Sequence, residues 1–189
     1  MFLFFDTETT GLPRDWQAPV EDVDNWPRLV QLAWLVSDEN GKEVSGNNFI
    51  IRPDGFIIPE EASNVHGITT ERALAEGVDL AEALTEFGQA LAAAKVLVAH
   101  NIRFDEKIMG AEFARQAIQN NFFTLPRVCT MQESTDYCGI EGYYGYKWPK
   151  LMELHQKLFD ESFDGAHDAL ADVRACAKCF FELMARGVI

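Results

Sequence analysis

The sequence has 189 residues, with 16 Lys and Arg against 30 Asp and Glu, so its formal net charge is −14. Hydrophobic residues make up 48% and charged residues 24%, which excludes an intrinsically disordered or collagen-like chain. The acidic balance also opposes sequence-independent binding of duplex nucleic acid, because that affinity comes from Lys and Arg displacing counterions. We expect a single domain over residues 1–189 with a full hydrophobic core.

The apolar runs and the cysteines predict the compartment. No run approaches the ~18–20 apolar residues that cross a bilayer, and Met1–Phe5 lacks the basic flank and cleavage site of a signal peptide. The chain is therefore expected to be cytoplasmic, without membrane contact, and to keep reduced thiols at Cys129, Cys138, Cys176 and Cys179. Because no second pair at zinc spacing accompanies Cys176 and Cys179, these two are interpreted as buried thiols.

Five segments have the composition and length of β-strands. They are Phe2–Phe5, Leu29–Val36, Glu43–Ile51, Val96–Ala99 and Arg127–Met131. Asn40-Gly41 predicts a hairpin between the second and third strands. The fourth strand is followed by a helical pattern, and this order predicts a crossover between parallel neighbours. The sequence therefore predicts a mixed α/β sheet.

Helical periodicity appears in four segments, namely Leu80–Leu91, Phe104–Gln119, Trp148–Phe159 and Asp168–Arg186. Asp79, with Glu82 three residues later, resembles a capping box at the start of the first helix. The last helix is expected to direct five side chains towards the core: Leu170, Val173, Ala177, Phe181 and Met184. Long loops are predicted at Pro13–Pro27 and Gly139–Tyr146.

Asp6 and Glu8 follow the first strand two residues apart, so both carboxylates point to the same face. Their mutual repulsion is relieved when a cation lies between them, and carboxylate oxygens suit Mg²⁺ or Mn²⁺. The alternative interpretation is that this pair belongs to an acidic turn at the end of the strand. Further acids at the same edge of the sheet would favour the metal site.

Two further acids begin predicted helices. Asp105 follows the fourth strand, and functional groups in α/β sheets gather at the carboxyl ends of strands. The alternative is that Asp105 only stabilises the helix N-terminus through its favourable interaction with the helix dipole. Asp172 lies near the inward face of the last helix, where an unpaired carboxylate is costly, whereas Asp168 suits a helix cap. With Asp6 and Glu8, the two acids could hold two divalent ions of the kind that clamp a phosphoryl displacement.

His167 directly precedes the last helix. An imidazole has an ordinary pKa near ~6.5, so beside a metal site it can accept a proton from water near neutral pH. A capping or surface role for this histidine is the alternative. The hypothesis that His167 is catalytic therefore requires that the acids converge next to it.

These residues lie in three stretches of sequence: Phe5-Asp6-Thr7-Glu8-Thr9-Thr10-Gly11-Leu12, His100-Asn101 to Phe104-Asp105, and His167-Asp168-Ala169-Leu170-Ala171-Asp172. In order and spacing they resemble the three exonuclease motifs of the DnaQ-like superfamily. A His, rather than a Tyr, five residues before the last Asp marks the DEDDh branch, which includes the proofreading subunit of bacterial replicative DNA polymerase. Val65–Thr69 also resembles a segment common between the first and second motifs.

The resemblance implies a ribonuclease-H-like fold, with a five-stranded mixed sheet in the order 3-2-1-4-5 flanked by helices. It implies 3′-to-5′ release of nucleoside monophosphates from a single-stranded end, with two Mg²⁺ or Mn²⁺ ions. The implied catalytic residues are Asp6, Glu8, Asp105, His167 and Asp172. The four acids among them would hold the ions, and His167 would be the general base. Residues implied to border the substrate are Thr9, Thr10, Gly11, Leu12, His66, Asn101 and Phe104.

The expected substrate is a single-stranded DNA 3′ end. Oligoribonuclease, a relative within the family, typically has Met where Thr7 and Thr9 stand here. An RNA exonuclease of the same family, a non-catalytic binding module and a hydrolase of small phosphate esters are the alternatives. No tail that would tether a polymerase is evident, and the oligomeric state is left open. The aromatic loop Gly139–Lys150 could stack on bases or pack over the core.

Overall fold

The computed structural model describes residues 1–189 and contains a five-stranded sheet in the order β3-β2-β1-β4-β5. Its strands are β1 (Phe2–Thr9), β2 (Leu29–Ser37), β3 (Glu43–Ile50), β4 (Val96–Ala99) and β5 (Arg127–Cys129). β2 runs antiparallel to β1 and β3, whereas β4 runs parallel to β1 and β5. The predicted ribonuclease-H-like fold class is therefore confirmed. A separate hairpin consists of β6 (Glu141–Gly142) and β7 (Gly145–Tyr146).

Eight α-helices surround the sheet: α1 (Glu60–His66), α2 (Thr70–Glu76), α3 (Leu80–Ala93), α4 (Ile102–Arg115), α5 (Thr130–Glu133), α6 (Thr135–Cys138), α7 (Leu151–Phe159) and α8 (Ala169–Ala185). A 3₁₀ turn covers Phe122–Thr124. No helix is both long and apolar enough to cross a membrane. All four cysteines are buried free thiols, as predicted.

The alternation of side chains along β1 assigns each face of the sheet to a different layer. Leu3 and Phe5 belong to the larger core, together with residues of α3 and α4. Phe4 belongs to the smaller core on the opposite face, where Val173 and Phe180 of α8 pack. By the same alternation, Asp6 and Glu8 face the α8 side of the sheet.

β1 extends four residues beyond the predicted end at Phe5. Its pairing with β2 continues because Asp6 lies opposite Ala33 and Glu8 lies opposite Gln31. The acids are therefore part of the strand rather than of a turn after it. A strand fixes the direction of successive side chains, so the pair is held more rigidly than a turn would hold it.

Two predicted helix boundaries are wrong for local backbone reasons. α4 begins two residues before Phe104, directly after left-handed Asn101 (φ 70°), and it ends before Ala117, which is also left-handed (φ 51°). α7 begins at Leu151 rather than at Trp148, because Pro149 disfavours helical backbone at the residue before it and Lys150 is extended (ψ 157°).

Three further expectations need correction. Met184 is 41% exposed and Leu170 and Phe181 are only half-buried, because the inward face of α8 is formed mainly by Val173, Cys176, Phe180 and Leu183. Asp79 occupies the N-cap position of α3 without capping it, and its carboxylate instead lies 3.4 Å from Arg52. The helices α1 and α2 were not predicted, because each has seven residues and buries only one or two side chains.

The long loop before β2 is anchored by a buried carboxylate. Glu112 is fully buried, and its Oε1 accepts hydrogen bonds from Arg28 Nε (3.1 Å) and from the Leu29 backbone N–H (2.9 Å). Arg115, 2.9 Å from the same carboxylate, donates to the carbonyls of Val23 and Trp26. These bonds tie the end of the loop to α4.

Candidate active site

The five predicted catalytic residues line one open cavity of about 420 Å³ at the end of the sheet. Asp6 and Glu8 enter it from β1, Asp105 from the first turn of α4 and Asp172 from the first turn of α8. His167 lines the same cavity from the loop before α8. The convergence required by the metal-site hypothesis is therefore present in the structure.

Asp105 is held against β1 by Thr7, the residue between the two strand acids. The Thr7 backbone N–H and hydroxyl both donate to Asp105 Oδ1, at 3.1 and 2.8 Å. Thr7 points to the α4 side of the sheet, whereas its neighbours point to the α8 side. The carboxylate of Asp105 is thus directed at the sheet end rather than serving only the dipole of α4.

The start of α8 separates the roles of its two aspartates. Asp168 Oδ1 accepts the backbone N–H groups of Leu170 and Ala171, both at 3.1 Å, which is the predicted helix cap. Asp172 Oδ2 accepts the backbone N–H of His167 at 3.0 Å. His167 is exposed and has a left-handed backbone (φ 71°), so the chain turns sharply here and places the imidazole at the cavity.

Burial and mutual repulsion raise the pKa values of all four acids. Burial raises the pKa of Asp6 well above its ordinary range, and the charges of Asp105 and Asp172 add to this. Burial and the charge of Asp172 raise the pKa of Glu8 from 4.5 to about 8. Burial raises the pKa of Asp105 to about 7 against the two Thr7 hydrogen bonds, and burial also raises that of Asp172.

The donor set fits divalent cations. Four carboxylates converge, and ligand atoms of Glu8, His167 and Asp172 lie within 4.8 Å of one another. Lys150 is the only Lys or Arg that lines the cavity, and it forms no ion pair with these acids. Hard oxygen ligands without a protein counter-charge are what Mg²⁺ and Mn²⁺ prefer.

A neighbouring cavity of about 480 Å³ gathers most of the predicted substrate-binding residues, namely Thr9, Thr10, Gly11, Leu12, His66 and Phe104. Glu8 lines both cavities, so the two adjoin. Thr9 Oγ1 donates to the Gly11 carbonyl at 2.7 Å, and Thr10 Oγ1 accepts the Arg28 backbone N–H at 2.9 Å. Leu12 is 73% exposed at the rim. Asn101, the remaining predicted residue, lines the acidic cavity.

His66 lines this neighbouring cavity with a buried, neutral ring. Its Nδ1 accepts the Ile68 backbone N–H at 3.2 Å, so the neutral ring carries its hydrogen on Nε2. Nε2 is buried near the Thr9 backbone, without a hydrogen bond of good geometry. Burial lowers the pKa of His66, which favours the neutral ring.

Two residues beside the acids were missed in the sequence. The sequence predicts no role for Thr7 or His100 beyond their places in the first and second motifs. His100 lines the acidic cavity, and its ring nitrogens lie 3.0 Å from Thr130 Oγ1 and 3.0 Å from the Pro149 carbonyl. Burial lowers the pKa of His100 to about 4, so a neutral ring joins β4 to the segment before α7. These long-range partners leave no local sequence signal.

The raised pKa values predict that the metal-free protein loses stability as pH rises. Protonated Glu8 and Asp105 favour the folded state below their unfolded pKa values of 4.5 and 3.8, and this contribution is lost as pH rises through their folded pKa values of about 8 and about 7. In chelator, the melting temperature should therefore fall between about pH 4.5 and pH 8.5. At pH 8, Mg²⁺ at about 100 times its Kd should add roughly 2.7 kcal/mol, or about 5–10 °C. Scanning calorimetry measures both effects, and a melting temperature that rises with pH in chelator would contradict the prediction.

The contact between Thr7 and Asp105 predicts a change in metal requirement. Thr7→Val removes the hydroxyl donor and keeps the side-chain shape, whereas Thr7→Ser keeps the donor. Because hydrogen bonds behind a metal ligand typically affect metal affinity 10–100-fold, we expect Thr7→Val to raise the Mg²⁺ concentration for half-maximal stabilisation by about that factor. Thr7→Ser should stay near the wild type. Equal midpoints for the two variants in thermal melts would refute the positioning role.

The sequence matches the RNase_T family, which is described as exonuclease, over residues 3–180. A Rhodobacter capsulatus protein named "DNA polymerase III subunit epsilon-like protein" is 32% identical over 197 aligned positions, which cover 99% of this chain and 25% of the relative. The Treponema pallidum "DNA polymerase III subunit epsilon" is 27% identical, covering 97% of this chain and 76% of the relative. The chain thus spans a quarter of the Rhodobacter protein.

Solved structures share the fold. The crystal structure of E. coli exonuclease I in complex with a dA16 oligonucleotide aligns with a TM-score of 0.77 at 23% identity. The alignment covers 98% of this chain and 41% of the exonuclease I chain. The likeness supports the same strand order and flanking helices found here.

Proposed function

The chain belongs to the RNase_T exonuclease family and is a DnaQ-like exonuclease, and from this premise we propose that it releases nucleoside 5′-monophosphates from single-stranded 3′ ends. The favoured substrate is DNA, and residues 1–189 act as one exonuclease domain. The observation that carries the proposal is the convergence of four acids and one histidine, drawn from three separate elements and a loop, on one cavity. A module that only bound nucleic acid would gain nothing from one buried and three half-buried carboxylates that repel one another and the phosphates.

Asp6, Glu8, Asp105 and Asp172 would hold two Mg²⁺ or Mn²⁺ ions. Divalent ions at such a site supply Lewis-acid activation of water and neutralise charge on the phosphate and the leaving oxygen. Asp6 lies centrally, since the charges of all three other acids act on it. The chain's own contribution is to keep these ligands fixed: β1 orients Asp6 and Glu8, Thr7 holds Asp105, and the His167 N–H holds Asp172.

His167 would be the general base. Its backbone N–H is committed to Asp172, while its exposed imidazole lines the cavity and remains available to a proton donor. The turn at φ 71° sets the ring beside Glu8 and Asp172. In this role the imidazole accepts the proton of the attacking water as the bond to phosphorus forms.

The terminal nucleotide would occupy the neighbouring cavity. Leu12 and Phe104 offer apolar surface for a base. Thr9, Thr10 and Gly11 would border the sugar and phosphate, while Asn101 would hold the turn before α4. The rim is open, which suits a strand that must advance after each cleavage.

Three observations favour DNA as the substrate. Thr7 and Thr9 stand where oligoribonucleases typically have Met, and the relatives include proteins named as DNA polymerase III epsilon subunits. Exonuclease I, which shares the fold, is crystallised with a DNA oligonucleotide.

The test is digestion of 5′-labelled single-stranded DNA and RNA of matched sequence in Mg²⁺, Mn²⁺ or chelator. We expect a metal-dependent ladder that shortens from the 3′ end, with DNA digested faster than RNA. Faster digestion of RNA would leave the enzyme class intact and reverse the substrate assignment. Intact strands together with hydrolysis of free nucleotides would replace the proposal with a small-ester phosphohydrolase.

A further inference from the structure

We propose that a cleft beside the catalytic cavity binds the nucleotides that lie 5′ of the terminal one in a single DNA strand. The inference rests on the proposed exonuclease function, since the occupant is the rest of its substrate. The cleft has a volume of about 470 Å³. The residues that matter for binding are Trp16, Asn101, Arg103, Lys107, Met131 and Trp148.

The cleft is continuous with the catalytic cavity. Asn101 lines both of them. The ring of Trp16 lies 5.9 Å, centroid to centroid, from that of Phe104, which lines the catalytic cavity and its neighbour. A strand whose 3′ end lies beside the acids can therefore pass from Phe104 to the adjoining Trp16.

Two of the four tryptophans are exposed, and both of them line the cleft. Trp26 and Trp34 are each 3% exposed, whereas Trp16 and Trp148 are 51% and 56% exposed. Trp16 is nevertheless held in place, because Asn25 accepts the Asp15 backbone N–H at 2.7 Å and donates to the Asp15 carbonyl at 2.9 Å. Fixed, exposed indole rings are surfaces on which bases of any sequence stack.

The charge of the cleft also matches a phosphate backbone. Nine of the 16 Lys and Arg side chains form ion pairs with carboxylates. Of the remaining cations, Arg103 and Lys107 line the cleft and Lys150 lines the catalytic cavity. Glu106, the one acid in the cleft lining, is paired with Arg127 at 2.8 Å. In a chain of net charge −14, this is a local excess of free positive charge.

Substrate length provides the kinetic test. We measure kcat/KM on 5′-labelled DNA of two and eight nucleotides and compare the ratio between variants. Trp148→Ala should lower the eight-to-two ratio about tenfold, within the range found for loss of one stacked base. Arg103→Ala combined with Lys107→Ala should lower it too, whereas the matched pair Lys42→Ala and Lys157→Ala, which is unpaired and outside the cleft, should not. A variant that is partly misfolded lowers kcat/KM on both substrates and leaves the eight-to-two ratio unchanged.

Tryptophan fluorescence provides an independent measurement. In the Asp6→Asn background, which we expect to bind without digesting, the octanucleotide should quench emission from the exposed indoles, and Trp148→Phe should reduce the quench while keeping the affinity. Unchanged ratios and no quench would overturn the cleft proposal even if the 3′ ends are digested. If the wild type digests no 3′ end, the proposed function fails, and the quench alone then shows whether the cleft binds a strand.

Discussion

The Asp6→Asn variant is expected to lose activity and gain stability at the same time. Removing one carboxylate from the site should lower kcat/KM on single-stranded DNA by about 10³- to 10⁴-fold, since several kcal/mol of transition-state stabilisation correspond to that factor. In chelator at pH 8, the same change removes an acid whose pKa is raised by desolvation and by four neighbouring carboxylates. The free energy of unfolding and the melting temperature in chelator should therefore rise.

A loss of activity combined with a gain of stability distinguishes a metal-binding aspartate from a structural one. An aspartate that stabilised the fold would reduce both activity and melting temperature when replaced. Asp54→Asn, a substitution at an exposed acid far from the cavity, is the matched control and should change neither. Activity assays with stripped and Mg²⁺-loaded protein, alongside calorimetry, supply both measurements. An Asp6→Asn protein that melts lower than the wild type in chelator would argue against the repulsive cluster.

The second large effect is expected for His167→Asn, with kcat reduced about 10²- to 10⁴-fold, the usual contribution of a positioned general base. Asn tolerates the left-handed backbone at this position, and it keeps the backbone N–H that donates to Asp172. Since the four acids are unchanged, Mg²⁺ should still raise the melting temperature as in the wild type.

The two readouts separate a base from a ligand, because His167 also lies within ligand distance of Glu8 and Asp172. Loss of the Mg²⁺-induced stabilisation together with kcat would assign His167 to metal binding. A kcat within a few-fold of the wild type would remove it from the chemistry altogether. Steady-state kinetics at saturating Mg²⁺ and DNA, with melts on the same protein, decide among these outcomes.

The sequence predicts the parts of this molecule that depend on local pattern. The continuous apolar run Phe2–Phe5, the turn signal at Asn40-Gly41 and the periodicity of the longer helices are local patterns, and each of them correctly predicts an element of the fold. β1 was cut short because Asp6 to Glu8 are polar, and only their pairing with β2 keeps them in the strand. Pairing of this kind joins residues far apart in sequence and leaves no local signal.

In the candidate site, too, the residues with a local sequence pattern were predicted and the contacts between distant residues were not. The spacing of Asp6 and Glu8 was sufficient to predict a shared face, and the order of the motifs was sufficient to predict which acids converge. The donation from Thr7 to Asp105 could not be predicted, because it crosses the sheet end between residues 98 positions apart. The Trp16 cleft was missed for a similar reason: Trp16 lies in an irregular loop whose position is fixed by buried Asn25 and Glu112.

Manganese binding tests the central claim most directly, namely that the four acids converge in order to hold divalent cations. Crystals grown with Mn²⁺ would be measured at an energy where manganese scatters anomalously. We expect manganese peaks in the cavity bounded by Asp6, Glu8, Asp105 and Asp172, and no peak in crystals of the Asp6→Asn variant. An empty cavity at a Mn²⁺ concentration that supports digestion of 3′ ends would contradict the account.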